Sequence, residues 1–184
     1  SPAVPTQFQR ADRNAAATAG FGVTQAHPGF SALPGVAKEL TTIFGSKGVL
    51  SGDTELDAAF DERGLKLALL NKPAILHIAS HFNLVPGHED DSFLLLGDGS
   101  HLSLEKLRST RALRFKGVDL LTLSACQTAR GGDGAEIDGF GATAQLNGAG
   151  AVLASLWPVS DAATPQLMRD FYHGLIDESL DKAE

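Results

Sequence analysis

Short apolar runs alternate with amphipathic stretches along most of this chain, and that alternation limits the fold more than any other feature. The runs are bounded by glycine or polar residues and fall at 17–24, 74–81, 118–126 and 151–156. Between these runs and after the last one, apolar residues recur at helical spacing, as over 33–44 and 162–176. Strands that alternate with helices predict an α/β fold, with a mostly parallel sheet and helices on both faces.

Local signals predict further elements. Gly45 is expected to end the helix over 33–44, and Val49 with Leu50 reads as a short strand. Thr54 and Asp57 form a capping-box pattern, which predicts a helix holding Leu56, Ala59 and Phe60.

The second half of the chain carries its own turn and cap signals. The run over 93–96 precedes Gly97-Asp98-Gly99, which predicts a hairpin. Ser103 is expected to cap a short helix reaching Leu107, and a further helix is expected from about Ile137 to Leu146.

Composition narrows the class of protein. A chain of 184 residues with 43% hydrophobic content suits one globular domain with a real core. Its net charge of −7 without a Lys/Arg cluster argues against nucleic-acid binding. No apolar run approaches the ~20 residues of a membrane span, and no basic-then-apolar leader opens the chain. The single cysteine excludes an intramolecular disulfide, so we expect a reducing, cytoplasmic setting.

Cys126 and His81 stand out because each closes an apolar strand, at the edge where parallel sheets place their sites. A thiol and an imidazole brought together there would form a nucleophilic pair. The alternative is that Cys126 is only a small buried hydrophobe, as most free cysteines are. The residues by themselves leave these two readings open.

A metal site receives less support. His77 and His81 are four residues apart, which on a strand separates them by ~13 Å, too far to share an ion. His77 is therefore expected to be a packed residue, and we expect no metal or other cofactor.

Three stretches carry a resemblance to a known family: ILHIASHF around His81, LLTLSACQTA around Cys126, and GAGAVLASLWPVSD at 148–161. They are similar to the CHAT-domain family of caspase-like cysteine peptidases, which are related to separases. The resemblance implies a three-layer caspase-like fold over 17–184, after a polar and flexible lead-in at 1–16. Because the family's domain usually begins earlier and continues further, we expect a domain truncated at both ends.

The resemblance also implies roles. Cys126 would be the nucleophile and His81 its base, and the backbone N–H groups of Phe82 and Cys126 would bind the oxyanion. Many relatives have glycine where this chain has Phe82, and glycine permits backbone conformations that Phe resists.

Substrate preference follows from the same resemblance. Ser124, two residues before Cys126, would face the pocket for the side chain preceding the scissile bond, with Trp157 and Asp161 forming another wall. A carboxylate at Asp161 would select Arg or Lys. The alternative is that Ser160 or Asp161 only caps the final helix.

The function that we expect is a cysteine endopeptidase cutting a protein substrate after a basic residue. Tetratricopeptide-repeat or other regulatory regions outside the chain would be its partners. The alternative is a catalytically silent scaffold that binds partner proteins. A small-molecule hydrolase or nucleotide-binding domain is disfavoured, because neither a G-x-S-x-G elbow nor a P-loop is present.

Overall fold

A central parallel sheet organises the protein, as the alternating pattern predicted. The computed structural model describes residues 17–83, 85, 88, 90–124, 135–154 and 163–177, with only the backbone given for 135–140 and 177. Five strands of these residues lie in the order β2-β1-β3-β7-β8, and every neighbouring pair is parallel. Their bounds are β1 Thr18–Gly22, β2 Asp53–Leu56, β3 Ile75–Ala79, β7 Leu120–Ser124 and β8 Ala151–Ala154.

A second, antiparallel sheet lies beyond the end of β3. It consists of β4 (Phe82–Asn83), β5 (Phe93–Leu95) and β6 (His101–Ser103). The predicted hairpin is confirmed, because β5 and β6 pair on either side of the Gly97-Asp98-Gly99 turn. Gly99 has a φ of +84°, which a glycine adopts at low cost.

Helices cover both faces of the central sheet, which confirms the predicted layered α/β architecture. Core residues of α1 (Gly35–Ile43) and α5 (Thr164–Asp177) pack together with Ile75 and Leu120 of the sheet. Core residues of α2 (Glu62–Leu70), α3 (Leu104–Ser109) and α4 (Ala135–Leu146) pack with the alternate strand residues, such as Leu76 and Leu121. Successive strand residues point to opposite faces, so β3 and β7 are buried on both sides.

The structure corrects the prediction for 54–60. Asp53–Leu56 is the strand β2, which pairs with β1, and a 3₁₀ turn follows at Asp57–Ala59. The helix α2 begins only at Glu62, where the Asp61 side chain accepts a hydrogen bond from the Gly64 N–H at 2.7 Å. The capping-box pattern was misleading because it is a local signal, whereas pairing with β1 joins residues distant in sequence.

The other local predictions had mixed outcomes. Val49 and Leu50 do not form the predicted strand, since Leu50 makes only an isolated bridge to Phe44. The Ser103 cap is confirmed, because its hydroxyl accepts a hydrogen bond from the Lys106 N–H at 3.1 Å. The helices predicted near 33–44 and 162–176 are α1 and α5.

A buried polar chain links the α1/α5 layer to the sheet. His77 Nδ1 lies 3.0 Å from the Tyr172 hydroxyl of α5, and His77 Nε2 lies 3.0 Å from a Glu39 carboxyl oxygen of α1. Tyr172 in turn donates to Thr122 Oγ1 of β7 at 2.7 Å. All four side chains are buried, so each polar group depends on the next for its hydrogen bonds. This confirms the expectation that His77 is a packed residue.

Tyr172→Phe tests the contribution of this chain to stability. The substitution keeps the ring but removes the oxygen that pairs with His77 and Thr122, so it should lower the free energy of unfolding by about 1–3 kcal/mol. The exposed Leu167→Ala on the same helix (Leu167 is 55% exposed) should change it by about 0.5 kcal/mol or less. Denaturant unfolding measures both, and a Phe variant as stable as the wild type would contradict the hydrogen-bond assignment.

Candidate active site

The carboxyl ends of β3 and β7 bring two of the predicted site residues to neighbouring positions. Ala79 of β3 is the register partner of Ser124 of β7, and the Ser80 N–H donates to the Ser124 carbonyl at 3.2 Å. His81 follows Ser80 directly. Cys126, Trp157 and Asp161, also predicted as site residues, lie outside the described residues.

The His81 ring is buried and its orientation is set by one hydrogen bond. Its Nε2 lies 2.8 Å from the Ser31 carbonyl oxygen, in the loop between β1 and α1. A carbonyl oxygen only accepts, so Nε2 must carry the hydrogen and, in the neutral ring, Nδ1 must carry the lone pair. Nδ1 is buried, and no described residue forms a hydrogen bond with it. The ring therefore offers a base at Nδ1.

Neighbouring groups hold the ring and its backbone in place. The Phe30 ring packs on the His81 ring, with 5.1 Å between centroids. The His81 carbonyl accepts a hydrogen bond from the Leu95 N–H at 3.0 Å, and Ser80 Oγ donates to the Leu95 carbonyl at 2.6 Å. The second sheet thus holds the Ser80 side chain and the His81 backbone through Leu95 of β5.

The surroundings of His81 favour its neutral form. Burial lowers the pKa of His81 from its ordinary value of 6.5, and the nearby charge of His27 lowers it further. The hydrogen bond to Ser31 acts in the opposite direction but does not outweigh burial. A neutral imidazole at pH 7 can take a proton from a neighbouring acid.

Ser124 is fully buried, and its hydroxyl oxygen has no hydrogen-bond partner among the described residues. It is two residues beyond Thr122, so both side chains point to the α1/α5 face of the sheet. An unpaired buried hydroxyl is costly, which makes it a group that a polar ligand could satisfy.

Phe82 begins β4 and pairs with Leu94 in an extended conformation. Among the described residues other than glycine, only Asp57 and Lys72 have a positive φ. The Phe at this position therefore needs no backbone conformation reserved for glycine.

Two contributors to the site were not predicted from the sequence. They are the Ser31 carbonyl and the Phe30 ring, both in the β1–α1 loop. Every residue has a backbone carbonyl, so no residue type marks this role. The half-buried Phe30 gave no signal that would distinguish it from a core aromatic.

Nothing within the described ranges suggests a metal centre, since they contain no group of three or more His, Cys, Asp or Glu side chains able to hold an ion. His77 is instead engaged with Glu39 and Tyr172. None of the helices in these ranges has the length and apolar character needed to cross a membrane.

Comparison with known proteins agrees with the fold and the motifs. A family model described as the CHAT domain matches residues 3–184. No curated protein matched the chain. Since the family match extends over nearly the whole sequence, this chain belongs to the CHAT-domain family, which is related to the caspase-like cysteine peptidases.

Proposed function

We propose that this protein is a cysteine endopeptidase, with Cys126 as nucleophile and His81 as the base that activates it. The observation that carries the proposal is the state of the His81 ring. Its Nε2–H is bound to the Ser31 carbonyl, and its buried Nδ1 has no partner among the described residues. A general base needs an available lone pair in a fixed orientation.

The chain positions of the two residues support the pairing. Ala79 and Ser124 are register partners at the ends of β3 and β7, and His81 and Cys126 each stand two residues beyond them. Because both residues lie the same distance beyond paired strand ends, at the carboxyl edge of a parallel sheet, we expect their side chains to lie close together.

The proposed reaction proceeds in two steps. His81 Nδ1 takes the proton of the Cys126 thiol, whose ordinary pKa of ~8.5 leaves little thiolate at neutral pH. The sulfur attacks the scissile carbonyl, and His81 returns the proton to the leaving amine as the C–N bond breaks. Water, deprotonated by the same imidazole, then attacks the thioester carbonyl. The C–S bond breaks, the acid is released, and His81 returns the proton to the Cys126 sulfur.

The oxyanion of each tetrahedral intermediate would accept hydrogen bonds from the backbone N–H groups of Phe82 and Cys126. One such donor contributes about 10²–10³ in rate. The regular extended backbone of Phe82 is compatible with this role.

For the side chain that precedes the cut, we propose a pocket with Ser124 at its base and Trp157 and Asp161 as a wall. The buried Ser124 hydroxyl, which has no hydrogen-bond partner among the described residues, supports this assignment, because a charged substrate group could satisfy it. With a carboxylate at Asp161, the pocket would select Arg or Lys.

The substrate in this proposal is a protein in the cytoplasm, where a reactive thiol stays reduced. Tetratricopeptide-repeat or other regulatory regions would control its access. A silent scaffold that only binds partners is the outcome if the thiol proves unreactive.

Labelling of Cys126 tests the dyad. A peptidyl electrophile ending in Arg should alkylate Cys126 in the wild type and should not label Cys126→Ala, which lacks the chain's only thiol. His81→Ala should slow labelling by about 10²–10⁴, since the base is lost. His88→Ala is the control, because its side chain is 68% exposed and outside the proposed chemistry. The labelling rates of the wild type and the three variants are measured by intact-protein mass spectrometry over time. A labelling rate that His81→Ala leaves unchanged would refute the dyad.

The protonation of His81 can be measured without the thiol. In Cys126→Ala, NMR of the His81 ring should show the Nε2–H tautomer and a pKa below 6.5, as burial requires. Because the folded pKa is the lower one, the stability linked to His81 is present above pH 6.5 and declines as the pH falls below it. The signals that disappear on the further substitution His81→Gln identify the resonances of the His81 ring. An Nδ1–H tautomer or a midpoint above 6.5 would rule out this state of the base.

Asp161→Asn separates a pocket role from a cap. If Asp161 faces substrate, activity on peptides with Arg or Lys before the cut should fall by one or more orders of magnitude, with little change in the melting temperature. If Asp161 only caps the final helix, Asp161→Asn should instead lose about 0.5–2 kcal/mol of stability and keep the preference for Arg or Lys. Asp170→Asn, an exposed acid on α5, is the matched control. If Asp161→Asn keeps the wild-type preference for Arg or Lys, the assignment of Asp161 to the pocket is wrong.

A further inference from the structure

We propose that Asp57 is a positioning residue for His81. Its carboxylate holds the β1–α1 loop, and the loop holds the carbonyl that fixes the His81 ring. The inference rests on the proposed role of His81 as base. Asp57 touches neither His81 nor the proposed substrate pocket in any hydrogen bond of the described residues.

The carboxylate makes three hydrogen bonds to the start of the loop. Oδ1 accepts from the backbone N–H groups of Thr24 and Gln25, at 2.7 Å and 3.1 Å. Oδ2 accepts from the Thr24 hydroxyl at 2.6 Å. Partial burial raises the pKa of Asp57, but these hydrogen bonds and the charge of His27 lower it overall. The group is therefore a carboxylate at neutral pH, which strengthens every bond it accepts.

The backbone of Asp57 is itself held in an unusual conformation. Its φ is +50°, in the left-handed region that residues other than glycine adopt uncommonly. Its carbonyl accepts a hydrogen bond from the Phe60 N–H at 2.7 Å and lies so close to Gly97 that a Cβ there would overlap it. Such a conformation persists only where its surroundings impose it, and it is enriched near functional sites.

Backbone hydrogen bonds close the loop on itself and connect its first residues with the segment before α1. The Leu33 N–H donates to the Thr24 carbonyl at 3.0 Å, and His27 and Phe30 exchange backbone hydrogen bonds of 3.1 Å and 2.8 Å. Thr24, which Asp57 binds, is thus the closing residue of the loop that contains Ser31.

Two groups that contact the His81 ring come from this loop. The Ser31 carbonyl accepts from Nε2 at 2.8 Å, and the Phe30 ring packs at 5.1 Å. If the loop shifts, the ring loses the acceptor that selects the Nε2–H tautomer. The hydrogen can then lie on either nitrogen, so the lone pair is no longer always on Nδ1. A displacement of this kind slows a reaction that depends on alignment.

The test compares substitutions of Asp57 that separate its backbone from its carboxylate. Asp57→Gly relieves the left-handed backbone but removes the acceptor, so it should slow His81-dependent labelling of Cys126 by about tenfold or more. Asparagine tolerates the left-handed region and keeps a side-chain acceptor. The labelling rate of Asp57→Asn should therefore stay within about threefold of the wild-type rate.

Asp61→Gly is the matched control for stability. It removes the acid that caps α2 through Gly64 and leaves the β1–α1 loop untouched, so it should lower the melting temperature without slowing labelling. Thr24→Val supplies a second route if Asp57→Gly does not fold. It deletes only the hydroxyl bond to Oδ2, and it should slow labelling by about two- to fivefold.

The His81 tautomer gives a readout that a purely structural role would leave unchanged. In Cys126→Ala, NMR should show the Nε2–H form, and adding Asp57→Gly should produce a mixture of tautomers while adding Asp57→Asn does not. Folded Asp57→Gly with wild-type labelling and an unchanged tautomer would overturn the proposal, as would an Asn variant as slow as the Gly variant. If wild-type labelling does not depend on His81, the proposed function fails, but the tautomer still reports whether Asp57 positions the ring.

Discussion

The proposed chemistry depends on one hydrogen bond, from His81 Nε2 to the Ser31 carbonyl. That bond places the proton on one nitrogen and leaves the lone pair on the other, buried and without a described partner. Burial then lowers the pKa of the ring, so the neutral form is present at physiological pH. The orientation and tautomer of the base thus follow from a single contact with a loop, and its neutral charge state follows from burial.

The fold supports this contact from both ends of the loop. At one end, Asp57 binds Thr24 and Gln25. At the other end the chain enters α1, whose Glu39 reaches His77 in the buried polar chain. Because His77 and Thr122 are register partners on β3 and β7, α1 and α5 are tied to the two strands that lead to the site.

Much of the fold could be predicted from the sequence, because β3, β7, α1 and α5 carry the apolar periodicity of their class. The segment at 54–57 could not, since its local capping pattern competes with pairing to β1 that only the folded chain provides. Of the site, the motifs indicated His81 and Ser124, and the structure brings their strand ends together. Ser31 was beyond sequence reasoning because it acts through its backbone, and Asp57 because its partners are 32 and 33 residues away.

The central claim is that His81 presents Nδ1 to the Cys126 thiol while Nε2 remains bound to Ser31. A crystal structure of the protein alkylated at Cys126 by a peptidyl electrophile measures it directly. We predict that Cys126 Sγ lies within about 4 Å of His81 Nδ1, or within reach of one side-chain rotation, with the bond to Ser31 retained. A sulfur that faces Nε2, or that no rotation can bring to the ring, would contradict the claim.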